Sequence, residues 1–336
     1  MKRFTSFVVF VSLLNILICG CTATYSKETL SESVVELCRE EYSINVKSKV
    51  VGKTLAIYLP LPSLFDITLS INKKAQEMMQ NVILSASRIV LSTDADIKYY
   101  CVIAQDVRLP EIQVIVIKYV TDVKRAFFQD ISRGEYFKRT IFDININPQS
   151  KKEESVKKIF SKHNINPELE ESVLEEFFRS TPIEMKDFGY WQDEFYVKDI
   201  EFPEFVAEQM SYRIRNRFRE QELLKKEFLV ASVLSSYDTV EGGHFFNIIF
   251  DVKYKEILKL FGEISDKNVI YENIFLEVAD CLYGYKFKDF DMVKIIDKNS
   301  PYRLFVSKSD IYNFKKKKLD LDTILQAVNA ANVVYK

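Results

Sequence analysis

The sequence predicts an α+β fold of two similar modules. Each runs helix, hairpin, helix, hairpin, helix, with antiparallel sheets covered by helices, and a helical linker joins the two. Three observations predict this. Apolar periodicity alternates between about 3.6 and two residues in the same order in both halves of the 336-residue chain. Landmarks recur at a spacing of 191, which matches Asp106 with Asp297, Pro110 with Pro301, Ile57 with Ile248 and Val102 with Val293 without a gap. The stretch between the halves is charged and aromatic, unlike either. The boundaries that follow are a leader over 1–20, a first module over 21–148, a linker over 149–202 and a second module over 203–336.

In the first module, 26–41 reads as an amphipathic helix with Val34, Val35 and Cys38 on one side. Segments 42–51 and 53–61 are β-rich and meet at Gly52, as a hairpin requires. A long helix spans 64–91, with Ile71, Ala75, Met78, Val82, Ala86 and Ile89 as its buried stripe. Strands 97–105 and 112–120 follow, with Pro110 in the turn. Asp122 opens a helix, Ser132 to Glu135 has the form of a capping box, and 140–146 reads as a connecting strand.

The linker holds two charged helices, over 151–163 and 167–180, the second with Asn166 as N-cap and Pro167 at its first position. An aromatic run over 188–202 ends it. The second module repeats the first. A helix spans 203–227, and a hairpin of 228–237 and 245–252 turns at Gly242 and Gly243. A helix over 265–282 carries Ile270, Ile274, Val278 and Cys281 on one face. Strands 289–296 and 302–306 meet at Pro301, and Asp310 and Asp320 start terminal helices. A three-residue shortening of the frame matches Asp122 with Asp310 and Ser132 with Asp320. The spacing is far above the 20–50 residues of solenoid repeats, so it describes a pair of domains.

The N-terminus sets the compartment. Lys2 and Arg3 precede an apolar stretch over 7–18, interrupted by Ser12 and Asn15. That is the layout of a secretory signal, and it is too short for an ordinary spanning helix. Its end, Ile18-Cys19-Gly20-Cys21, resembles a bacterial lipobox: an aliphatic residue at minus three, a tolerant position, a small residue at minus one, then Cys. The resemblance covers only these first residues and implies that Cys21 becomes the lipidated mature N-terminus. The bland alternative is a plain cleaved signal followed by a free cysteine. Thr22 stands after the Cys where a retained lipoprotein would carry Asp. In a double-membraned cell the resemblance then implies an outer-membrane anchor, with the protein facing the periplasm.

Composition narrows the classes. Without Lys2 and Arg3 the balance is 45 basic residues against 48 acidic ones. A near-neutral exported chain does not predict a nucleic-acid partner. Only 8 Gly and 8 Pro occur, and no low-complexity segment, so the chain is built to fold. Cys38, Cys101 and Cys281 are an odd set and read as buried thiols, one pairing at most remaining open.

Chemical motifs are few. The two histidines, His163 and His244, have no Cys or His at metal-ligand spacing, so the sequence implies neither a metal nor another cofactor. No Gly-x-Ser-x-Gly elbow or Gly-rich phosphate loop is present. Asp106 and Asp297 are the strongest acid–base candidates. Equivalent turn positions in both modules favour turn capping over catalysis. Arg213, Arg215, Arg217 and Arg219 fall on opposite helix faces and make no single basic groove. The run 315–318 is four lysines and reads as a solvated face. Tyr190, Trp191, Phe195 and Tyr196 are the candidates for partner contact, weighed against plain burial. The reading is a lipid-anchored, non-catalytic binding or assembly module for an envelope protein or polymer. Its rival is an envelope hydrolase with a carboxylate pair.

Overall fold

A computed structural model describes residues 25–68, 70–163, 183–255, 268–300 and 303–326. The leader with Cys21, the helix expected at 167–180, Pro301 and the last ten residues lie outside the described residues. The fold is mixed α/β with antiparallel-rich sheets. The described chain divides into two compact units. The first takes in residues up to 136, 144–163 and 187–198. The second takes in 137–143, 183–186 and those from 199 on. The aromatic run around Tyr190 therefore belongs to the first unit.

The first unit opens with α1 (Leu30–Tyr42), then β1 (Lys47–Val51) and β2 (Thr54–Leu61), joined by a two-residue turn in which Gly52 has φ 58°. Glycine adopts that angle without penalty. Helix α2 (Lys73–Leu91) is shorter than the apolar pattern suggests. Asp66 accepts hydrogen bonds from the Thr68 and Ser70 backbone N–H groups, which turns the chain, and Asn72 then caps the helix by accepting from Ala75 N at 2.8 Å. Met79, not Met78, faces the core. Strands β3 (Tyr99–Asp106) and β4 (Leu109–Tyr119) follow, with Pro110 in the strand just past the turn. Then come α3 (Val120–Phe127), α4 (Arg133–Lys138), β5 (Ile141–Ile146) and α5 (Pro148–Lys162), the end of α4 and the first half of β5 being counted with the second unit. Ser132 accepts from Glu135 N at 3.1 Å, the cap expected there. A small hairpin, β6 (Gly189–Trp191) and β7 (Glu194–Tyr196), ends this unit.

The second unit holds α6 (Phe202–Glu220), α7 (Glu222–Glu227), β8 (Phe228–Val240), β9 (Gly243–Tyr254), α8 (Asn268–Tyr285), β10 (Met292–Asp297), β11 (Arg303–Ser307) and α9 (Lys308–Lys315). Residues 321–326 are helical, and Asp320 accepts from Thr323 N at 2.7 Å. One core gathers α6, α8 and the sheet. Met210, Ile214, Phe246, Phe250, Ile274 and Val293 are among its fully buried members.

The expectation of wholly antiparallel sheets is corrected. The first sheet runs β1-β2-β3-β4-β5 and the second β11-β10-β9-β8. In each, the two hairpins are antiparallel, but the central neighbours are parallel: β2 with β3 and β9 with β10. The cause is the helix between the hairpins. A crossover of that length returns the chain to the starting end of the sheet, so the next strand runs the same way.

The ungapped frame is corrected as well. At a spacing of 191, Leu55 matches Phe246 and Val102 matches Val293. Yet Leu55 pairs with Tyr100, whereas Phe246 pairs with Val293. The central pairs of the two sheets differ in register by two residues. An even slip keeps every side chain on its own face, which is why the apolar pattern hides it.

Candidate functional site

The first sheet is buried on both faces. Lys118, Val116, Tyr100, Val102, Leu55 and Ile57 share the face toward α2, where Ser87 Oγ meets Tyr100 OH at 2.8 Å. Tyr58, Gln105 and Gln113 lie on the other face. There Tyr190 stacks on Tyr58, with centroids 3.8 Å apart and planes 16° apart. The Tyr190 carbonyl accepts from the side-chain amides of Gln113 at 3.3 Å and Asn147 at 3.2 Å, and more distantly from Gln105 at 3.5 Å. The Tyr190 hydroxyl accepts from Lys47 Nζ at 2.6 Å and donates to Asp193 at 3.2 Å. A Cβ at Gly189 would lie 2.9 Å from Gln113 Oε1, so any larger residue would push the Gln113 amide aside.

The four aromatic candidates therefore separate. Tyr190 is buried within its own unit. Trp191 is partly exposed and donates its Nε1–H to Glu153 at 2.8 Å. Phe195 packs edge-on against Tyr190 at 5.0 Å, and Tyr196 is half-buried.

The two aspartates make the same local bond. Asp106 accepts from Arg108 N at 2.9 Å and Asp297 from Asn299 N at 2.8 Å. Asp106 is fully buried and also accepts from Leu64 N at 2.8 Å and from the Arg108 guanidinium. Burial alone would raise its pKa. The Arg108 side chain and the two backbone donors outweigh that and hold it at about 2. Such a carboxylate is a fixed anchor for the loop before α2, not a proton shuttle.

The arginines divide by face, as their spacing requires. Arg213 and Arg217 grip Glu277 on α8 at 3.0 and 2.8 Å. Arg215 points the other way, to Glu208 and Asp143, both at 3.1 Å, and to the Val233 carbonyl at 3.2 Å. In the lysine run, Lys315 pairs with Asp280, and Lys316, Lys317 and Lys318 are exposed. His163 caps the end of α5, and His244 lies at the start of β9, near Asp289.

Arg215 leads to a cavity of about 440 Å³, wholly within the second unit. Helix α6 brings Glu204, Ala207 and Glu208 to it. Strands β8 and β9 bring Leu234, Ser236, Asp238, Asn247 and Ile249, whose side chains share the sheet face away from the core. Residues 184–186 form the opposite wall, where Glu184 pairs with Lys186 at 2.6 Å. Asp238 accepts from Ser236 Oγ at 2.9 Å and from the Asn247 side chain. Burial pushes the Glu208 carboxyl up, and Arg215 opposes the shift.

Four carboxylates and one lysine line the cavity together with the apolar side chains of Leu234, Ile249 and Met185. The size falls in the range of small-ligand pockets. The chemistry on offer is charge recognition with an apolar footing.

Sequence reasoning passed over these residues. Glu204 and Glu208 look like the ordinary polar side of a helix. The one local signal was their spacing of four with Ala207 beside them, a small residue flanked by acids. Among the described residues, no cluster of three His, Cys, Asp or Glu side chains is placed to hold a metal ion. None of the described helices is long and apolar enough to cross a membrane. No family model, curated protein or solved structure matches the chain.

Proposed function

We propose that the chain is an envelope lipoprotein, held at the outer membrane by lipid on Cys21 and facing the periplasm, that acts as a non-catalytic binding or assembly module for a protein or polymer partner. The observation that carries the binding part is the cavity of the second unit. Its carboxylates Glu184, Glu208 and Asp238 are each tied to a fixed protein partner, and apolar residues share the lining. Carboxylates beside apolar side chains suit recognition of a charged group with an apolar stem. Trp191, Phe195 and Tyr196, partly exposed beside Glu153, are a further contact candidate on the first unit.

The anchor is tested by Cys21→Ser with cell fractionation and acyl labelling. Loss of both label and membrane association is expected, and their survival would remove the anchor from the reading. The binding part is tested by a photocrosslinker placed at Ser236. Discrete adducts in envelopes are expected, and their absence counts against a partner at this site.

The same geometry supports a description of the two units as copies of one helix-hairpin-helix-hairpin-helix module. Strand order and pairing sense agree in the two sheets, α3 and α9 are both eight residues long, and Ser132 and Asp320 cap in the same way.

A second reading, an envelope hydrolase, draws on one observation: the raised Glu208 carboxyl has the form of a general acid. It predicts turnover of an envelope polymer that Glu208→Gln abolishes. Retained binding with no turnover in the unaltered protein would exclude it.

A further inference from the structure

The two sheets carry different things on corresponding faces. In the first, the face away from the core receives a segment of the chain itself, with Tyr190 laid flat on Tyr58 and its backbone carbonyl held by side-chain amides. The counterpart of Tyr58 in the second sheet is Ile249 in the 191-residue frame, or Asn247 once the two-residue slip in register is applied. Both residues line the cavity. At the place where the first sheet holds an extended segment, the second sheet presents an open pocket.

The lining tells what would fit. Of the lining acids Glu184, Glu204, Glu208 and Asp238, Glu184 is paired with Lys186 and Glu208 with Arg215, which leaves the acidic excess at Asp238 and Glu204. Asp238 stands on the outer sheet face with its hydrogen bonds coming from neutral partners, Ser236 and Asn247. Its charge is not cancelled by any of them. Leu234, Ile249 and Met185 supply the apolar part of the same lining. A ligand that meets both needs a positive head and an apolar stem, which is how lysine and arginine side chains are built.

We propose that this cavity takes the lysine or arginine side chain of an extended segment from a partner protein, with its stem on Leu234 and Ile249 and its cation at Asp238, beside Glu204. The inference rests on the reading of the chain as a binding module and adds the ligand's chemistry. The partner segment lies on the outer face of β8 and β9 as the chain's own 189–191 lies on the first sheet. Electrostatic attraction fixes which side chain enters, and the apolar lining takes its stem.

The test uses the full chain in neutral detergent and isothermal titration. Three probes are compared: an extended heptapeptide of Ala and Thr with one central Lys, the same peptide with norleucine in place of Lys, and spermidine. The Lys peptide is expected to bind at least about tenfold more tightly than the norleucine peptide, and to weaken as salt rises. Two variants at exposed or outer-face positions, Asp238→Asn and Ser236→Tyr, should each weaken it by about tenfold or more, with thermal unfolding unchanged. Ser236→Tyr fills the cavity without touching the core. Equal binding of the norleucine peptide would overturn the proposal. So would spermidine binding as tightly as the Lys peptide, indifference to Ser236→Tyr, or no binding of the Lys peptide up to ~10 mM, near the weak end of measurable affinities. A partner captured by a second photocrosslinker at Tyr196 but not by the one at Ser236, together with no peptide binding, would sink this inference and leave the binding-module reading in place.

Discussion

Lys118 is the residue whose environment most opposes its chemistry. It is nearly fully buried, its Nζ donates to Tyr136 OH at 2.7 Å, and it lies over the Tyr136 ring at 4.0 Å. Burial lowers its pKa to about 8. Between that value and the usual lysine value near ~10.4, the unfolded chain holds a proton that the folded one has lost, so folding stability rises with pH across that window. Lys118→Met should stabilise the protein at neutral pH by about 1–2 kcal/mol and flatten the alkaline rise, as read by urea unfolding at pH 7 and 10. Asp106 has the opposite sign. Its depressed pKa gives stability that is present above about 4 and lost as pH falls toward about 2. Asp106→Ala should cost roughly 2–3 kcal/mol, because it leaves the Leu64 N–H without its acceptor in a buried setting. A cost near zero would show that the loop before α2 holds itself. The sequence marked Asp106 through its turn position and its echo at Asp297, since capping is a short-range pattern. It could not mark the bond to Leu64, which spans 42 positions.

At the scale of elements, the second hairpin turns on Glu241 and Gly242, with φ of 52° and 80°. Two successive positive φ values suit Gly and Asn, and Glu is strained there. Glu241→Asn should raise stability by about 0.5–1 kcal/mol, and a lowered melting temperature would contradict the turn geometry. The double glycine made this turn legible to within one position: the turn is Glu241-Gly242, and Gly243 already opens β9. Helix caps were legible for the same reason, as Ser132 and Asp320 show. The parallel central pairs were not, because the sequence of a hairpin looks the same whichever neighbour it takes. The small hairpin of β6 and β7 was also hidden. Its turn residues, Gln192 and Asp193, carry positive φ without the glycine that would announce it. The cavity left even less trace, since its walls come from α6, from β8 and β9, and from 184–186, and no local pattern links them.

At the scale of the whole molecule, the described cysteines form no disulfide and are buried: Cys38 and Cys101 in the first unit, Cys281 in the second. Burial raises the pKa of Cys38 and Cys101 above that of an ordinary thiol. Under native conditions these three should resist an aromatic disulfide reagent, and all should react once urea unfolds the chain. Rapid native labelling of any one would show that its unit opens. The odd cysteine count made inert thiols the natural reading of the sequence, and burial now supplies the reason. The double burial of the first sheet has a consequence in time. Its strands are complete once Ile146 has been made, but the segment that covers its second face ends with Tyr190, more than forty positions later. At ~5–20 residues per second of synthesis, Tyr58 waits without Tyr190 for some seconds. The nascent chain thus passes through an interval in which a finished sheet shows a sticky apolar side, and a holding chaperone has its opening there. Gly189→Ala, which obstructs the closing contact with Gln113, should lengthen that interval and appear first as aggregation during refolding rather than as a large loss of final stability.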